Sequence, residues 1–172
     1  IYIDSCSMDI ADGNLNIGGY FNGSDPKEIY MSPVISMTNL DIEKIMIKFD
    51  NFGQDAIVSD NLKGNISGEI TGMVRMHTDM VPIINESELH IDLNVKKGVL
   101  ENYGPMNVMA DYFTDKNLKK IRFDTLVNHI DVVDGEMRIP SMTINSTIGY
   151  VEMSGSQVLD GEMEYFVRVP LK

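Results

Sequence analysis

One segment of this 172-residue chain alternates apolar and polar residues over an unusual length, from Leu62 to Thr78. Alternation places every second side chain on the same face of a β-strand, so the pattern predicts a strand rather than a helix. At about 3.3 Å per residue the segment would extend roughly 50 Å, whereas a usual strand has about 5 to 6 residues. We therefore expect a long strand that curves at Gly64, Gly68 and Gly72.

The same alternation, interrupted by turn residues, extends over most of the chain. Asp12-Gly13, Asp134-Gly135 and Asp160-Gly161 are strong hairpin signals, and Lys97-Gly98 is a weaker one. The predicted strands cover residues 1–10, 14–22, 28–38, 62–79, 88–96, 98–103, 118–133, 136–145, 148–157 and 162–171. Because hairpins join consecutive strands, we expect a mainly β fold, a long curved antiparallel meander sheet that forms a groove or half-closed barrel.

Two segments, at residues 39–50 and 105–114, change to a period of about 3.6 residues. Their apolar stripes are Ile42, Ile45, Met46 and Phe49 in the first, and Met106, Met109 and Phe113 in the second. We expect two short amphipathic helices, the first capped by Asn39 or Asp41. The chain is expected to be one β-rich domain over residues 1–172, and a division into two strands-plus-helix units, about 1–61 and 62–172, is a further interpretation.

Composition restricts the partners. The chain has 14 Lys and Arg against 26 Asp and Glu, a formal net charge of −12, which repels phosphate backbones and anionic head groups. Nucleic acid is therefore not an expected partner. A transmembrane helix needs about 18 consecutive apolar residues, and no apolar run in the chain approaches that length. Cys6 is the single cysteine, which excludes an internal disulfide. Because strand alternation begins at Ile1, we expect a soluble fragment of a longer protein.

Catalytic motifs are absent from the sequence. It contains no Gly-x-Ser-x-Gly nucleophile elbow, no cysteine in a nucleophile context and no glycine-rich phosphate loop before a helix. We therefore expect no enzyme activity, no catalytic residue and no cofactor.

All three histidines occur in a His-x-Asp tripeptide, namely His77-Thr78-Asp79, His90-Ile91-Asp92 and His129-Ile130-Asp131. On a strand this spacing points both side chains to one face. Pairing of strand 62–79 with strand 88–96 would set His77 beside His90, and the four candidate zinc ligands are then His77, Asp79, His90 and Asp92. The alternation favours solvated groups on polar strand faces instead, so no metal site is predicted.

The apolar sheet face remains to be explained, because two short helices cover only part of a sheet of about ten strands. Either the sheet curls on itself around an ordinary core, which the residues alone favour, or an open trough accepts an apolar ligand. The residues on this face of the two long strands, and hence the candidate groove lining, are Leu62, Ile66, Ile70, Val74, Met76, Leu89, Ile91, Leu93 and Val95. Gly64, Gly68 and Gly72 lie on the same face, where they would leave room for an acyl chain. The 13 methionines suit an adaptable lining.

An ordered series of short pieces in the second half resembles the C-terminal region of AsmA-like proteins of the Bacteroidetes type. The pieces are LHIDLNVKKGVLENYGPM at 89–106, FTDKNL at 113–118, IRFDTL at 121–126, DGEMRIPSM at 134–142, SG at 154–155 and MEY at 163–165. The resemblance covers roughly residues 62–172 and contains no catalytic motif.

The resemblance implies a periplasmic module of a long protein that an N-terminal helix anchors in the inner membrane, similar to bridge-like lipid transfer and outer-membrane assembly proteins. It further implies lipid acyl chains and neighbouring domains of the same chain as partners. We therefore expect a non-enzymatic module that binds lipid in an apolar β-groove and contributes to outer-membrane assembly or lipid transport. The alternative is a periplasmic scaffold domain that binds partner proteins and has a closed core.

Overall fold

The computed structural model describes residues 1–53, 59–104, 106, 117–158 and 161–169. Nine strands are β1 Tyr2–Ile10, β2 Gly13–Asn22, β3 Tyr30–Asp41, β4 Leu62–Arg75, β5 Glu88–Glu101, β6 Lys120–Val133, β7 Glu136–Ser146, β8 Gly149–Val158 and β9 Met163–Arg168. The helix α1 spans Ile42–Lys48, and single 3-10 turns lie at Asp50–Gly53 and Ile84–Glu86. None of the described helices is long and apolar enough to cross a membrane.

The strands form one sheet in the order of the sequence, from β1 to β9, and every neighbouring pair is antiparallel. The predicted mainly β meander is therefore confirmed. The sheet does not close, so β1 and β9 are its two edges. It continues without a break from β3 to β4, across the boundary between the two units predicted at 1–61 and 62–172.

The two strands predicted on either side of Lys97-Gly98 are one strand, β5, so the turn predicted there is wrong. Lys97 has a φ of 54°, and the register between β4 and β5 shifts at this point. Such a β-bulge places two consecutive residues on the same side of the sheet. Lys96 and Lys97 are accordingly both exposed, whereas Val95 and Gly98 on either side of them are buried.

Comparable register shifts occur in β1, β3 and β7. In β3 the shift lies between Met37 and Leu40, and the two residues that it spans, Thr38 and Asn39, are both exposed. Without the bulge Leu40 would point to the polar face, whereas it is only 1% exposed. The bulges therefore keep apolar side chains on one face where the sequence interrupts its alternation.

The predicted first helix is confirmed as α1, although it is shorter than the predicted 39–50 because β3 continues to Asp41. The Asp41 side chain accepts a hydrogen bond from the backbone N–H of Lys44 at 2.9 Å, which caps the helix. The second predicted helix, over 105–114, lies outside the described residues apart from Met106.

Two apolar clusters form the core of the described residues. The first cluster lies under α1, where the helix residues Ile42 and Met46 pack with Val95 of β5 and Phe123 of β6. Towards β8, the second cluster consists of Leu118, Ile121, Ile148 and Val151. The core therefore occupies one end of the strands in the middle of the sheet and the region between β6 and β8.

Candidate functional site

The nine predicted lining residues lie along one face of β4 and β5 and the turn that follows β4. The register places Ile66 opposite Val95 and Ile70 opposite Ile91. Between and beyond these pairs, Gly68 lies opposite Leu93 and Gly72 lies opposite Leu89. Residues directly opposite in an antiparallel pair share a face, so the alternation assigned the face correctly. Met76 lies beyond the end of β4 in an isolated bridge to Pro82.

Among the described residues, the helix α1 covers one part of this face and leaves the other part uncovered. Val95 belongs to the core cluster under α1, and the partly buried Leu62 and Ile66 pack against that cluster, so these three predicted lining residues contribute to the core. Val74 is buried as well. The other five predicted lining residues belong to neither core cluster and are half-buried; they are Ile70, Met76, Leu89, Ile91 and Leu93.

A row of five isoleucines crosses the uncovered part of the face at right angles to the strands. Successive cross-strand pairs align Ile17, Ile35, Ile70, Ile91 and Ile130, one from each of β2 to β6. All five are half-buried, and neither core cluster of the described residues includes them. At about 4.8 Å between strands the row is about 19 Å long, comparable to an extended fatty acyl chain. We call this set the isoleucine row.

The glycines of β4 are explained by the backbone rather than by space for a ligand. Gly64 and Gly72 have φ of 136° and 149°, which side chains of L-residues rarely adopt. A Cβ added at Gly68 or Gly72 would collide with the carbonyl oxygen of Asp92 or Glu88 on β5. The three glycines therefore shape the face by letting β4 and β5 approach closely, and the space expected beside them is filled by the backbone of β5.

The outer, polar face holds the histidines in an arrangement that differs from the prediction. Thr71, rather than His77, lies opposite His90. His77 lies beyond β4 in a turn, where its backbone N–H donates to the carbonyl of Val81 at 2.9 Å. In the same turn the Asp79 carboxylate accepts from the N–H of Val81 at 3.2 Å. The predicted grouping of His77 and Asp79 with His90 and Asp92 is therefore wrong.

His90 and Asp92 instead meet the third His-x-Asp tripeptide, because β5 pairs with β6. His90 lies opposite Asp131, and Asp92 lies opposite His129. His90 Nδ1 is 2.7 Å from Asp131 Oδ1, and His129 Nδ1 is 2.7 Å from Asp92 Oδ1. His129 Nε2 also lies 3.1 Å from Asp131 Oδ1. We call these four residues the histidine–aspartate cluster.

Electrostatics within the cluster follows from these contacts. The pKa of His129 is raised, mainly by its hydrogen bond with Asp92 and further by the negative charge of Asp131. The hydrogen bond with His90 lowers the pKa of Asp131. The signal that could have located the cluster is the repeat of His-x-Asp on two consecutive strands, since antiparallel pairing with the right register places each His opposite an Asp.

No family model, no curated protein and no solved structure matches this chain. The resemblance to AsmA-like proteins, which rests on the short pieces within residues 62–172, therefore stays a prediction.

Proposed function

We propose that the protein is a non-enzymatic module that binds lipid acyl chains on the apolar face of its open sheet. The observation that carries the proposal is the isoleucine row, five large apolar side chains that are aligned and only half-buried. The AsmA-like resemblance supports the biological setting of the proposal, a periplasmic module of a protein anchored in the inner membrane, with a role in outer-membrane assembly or lipid transport.

Acyl binding here would be driven by the removal of apolar surface from water, about 25 cal/mol for each Å² buried. The five row residues have hydrocarbon side chains, so the row offers contact area without a fixed head-group ligand. We therefore infer that it selects for the acyl chain rather than the head group. With a net charge of −12, the rest of the surface disfavours the approach of anionic head groups.

The test is binding of a fluorescent fatty acid to the purified protein and to two variants. Ile91→Asp places a carboxylate in the centre of the row, and we expect at least tenfold weaker probe binding because that charge would have to be desolvated. Val127→Asp is the matched control, since Val127 of β6 is 65% exposed and lies opposite Asn94, on the other face.

Thermal melting of each variant separates loss of binding from loss of fold. The proposal predicts that Ile91→Asp loses binding while it still melts cooperatively and that Val127→Asp binds like the unmodified protein. Equal binding by all three proteins would contradict it.

The edges of the sheet favour a second candidate, a scaffold that binds partner proteins. The edge strand β1 exposes Tyr2 and Ile3 at 79% and 48%, and β9 exposes Phe166 at 61%. An unpaired edge with apolar side chains is suited to the addition of a strand from another protein. If this is the function, Ile3→Lys abolishes the binding of the partner protein and leaves fatty-acid binding unchanged. Ile91→Asp then leaves the affinity for the partner protein unchanged.

A further inference from the structure

We propose that His90, His129 and Asp131 bind one divalent transition-metal ion, with zinc as the representative, on the outer face of the sheet. The site lies on the face opposite the isoleucine row and does not depend on the proposed lipid function. Two neutral imidazoles and one carboxylate are a donor set that zinc accepts, and a water molecule can supply the fourth ligand.

The geometry of the donor atoms carries the proposal. One donor atom of each of His90, His129 and Asp131 lies within 4.8 Å of the other two. His90 Nδ1 and His129 Nε2 are 2.7 and 3.1 Å from the same oxygen, Asp131 Oδ1. Tetrahedral zinc with bonds of about 2.0 to 2.1 Å separates its ligands by about 3.3 Å. The two nitrogen–oxygen separations are therefore within about 0.6 Å of those in a tetrahedral zinc site.

Each histidine also has its other ring nitrogen next to a carboxylate. His129 Nδ1 is 2.7 Å from Asp92 Oδ1, and His90 Nε2 is 3.3 Å from Glu88 Oε1. A carboxylate on the second nitrogen orients a ligating histidine and leaves the first nitrogen free to coordinate a metal. A carboxylate therefore lies beside the second ring nitrogen of each histidine, in the position from which it can orient the ring towards a bound ion.

The neighbouring strands are compatible with a bound cation. On β4, Glu69 lies opposite Asp92, which adds a negative charge beside the site. On β7, Arg138 lies opposite Asp131, but its guanidinium forms hydrogen bonds of 2.9 and 2.8 Å with Glu136 of its own strand. The side chains of His90, His129 and Asp131 are 43%, 48% and 37% exposed, so an ion can reach them from solvent.

The test is calorimetric titration of the chelator-treated protein with zinc chloride at pH 7.5. We expect one zinc ion per chain and at least tenfold weaker binding for His90→Gln and for His129→Gln. His77→Gln is the matched control, because this third histidine lies in the separate turn after β4, and it should bind zinc like the unmodified protein. Asp92→Asn should weaken binding about 10-fold to 100-fold through the orientation of His129.

Nitrogen-15 NMR of the imidazoles gives a second readout that identifies the ligating atoms. The proposal predicts zinc-dependent shifts at Nδ1 of His90 and Nε2 of His129. Absence of zinc binding, or equal binding by a His90→Gln/His129→Gln double variant, would overturn it. If a histidine variant melts at a much lower temperature than the unmodified protein, the milder Asp92→Asn substitution decides, and unchanged affinity in that variant would also overturn the proposal.

Discussion

Gly72 shows how strongly a single residue is constrained in this sheet. Its φ is 149°, and an added Cβ would collide with the backbone of Glu88. We expect Gly72→Ala to lower the free energy of unfolding by about 1 to 3 kcal/mol, the usual cost of such a backbone conformation for a residue with a side chain. Chemical denaturation measures the change. Gly104→Ala is the control, since an added Cβ there meets nothing within 4 Å, and equal effects of the two substitutions would contradict the explanation.

Glu101 of β5 provides a prediction for pH. A hydrogen bond from the Lys120 ammonium is the main cause that lowers its pKa below the ordinary value of 4.5, and Lys63, 3.8 Å away, lowers it further. A carboxyl whose pKa is lowered by folding stabilises the folded state above its unfolded pKa, and this contribution is lost as the pH falls through the folded pKa. Glu101→Gln should therefore lower the melting temperature at pH 7 and have little effect at pH 2. A decrease of the same size at both pH values would show that the charge is not responsible.

The histidines define what single residues reveal before a structure is known. The His-x-Asp spacing correctly indicated that His90 and Asp92 share a face, because the strand period requires it. The predicted partner strand was correct, because β4 pairs with β5. The predicted meeting of His77 with His90 was wrong, since β4 ends before His77 and Thr71 lies opposite His90. Local pattern gives the face, whereas the pairing of strands decides which polar groups meet.

At the scale of elements, strands were predictable and bulges were not. The alternation over 62–78 gave β4 within a few residues, because side-chain period and burial agree there. At Lys97-Gly98 the same reasoning predicted a turn. The positive φ that the structure shows at Lys97 occurs in turns and in bulges alike, so the dipeptide does not distinguish them. In the structure β5 pairs with β6 without interruption through Lys97, so this point is a bulge within one strand. The local sequence carries no information about this pairing.

The bulge in β3 supports a prediction for the junction of β3 and α1. Leu40 is only 1% exposed, and it lies opposite Ile66 of β4. Leu40→Ala should lower the free energy of unfolding by about 2 to 5 kcal/mol, because it removes buried area and leaves a cavity. Ile47→Ala in α1 is the matched control, with a change near zero, since Ile47 is 63% exposed. Urea titration of both variants is the measurement, and equal losses would contradict the placement of Leu40 in the core.

At the scale of the whole molecule, the sequence posed the question of the apolar face but left two answers open. Composition and alternation predicted a sheet with more apolar surface than two short helices cover. They could not decide between a closed core and an open face, because closure depends on whether β1 meets β9. The two strands are separate edges in the structure, α1 covers Leu62, Ile66 and Val95, and the isoleucine row stays half-buried.

Photo-crosslinking with a diazirine-labelled palmitic acid tests the proposed lipid surface most directly. After irradiation and proteolysis, mass spectrometry identifies the residues that carry the label. The proposal predicts label on the isoleucine row and its immediate neighbours on the same face, with at least tenfold less label in Ile91→Asp. Label spread over the outer face or concentrated on β1 and β9, at a level that Ile91→Asp does not change, would contradict it.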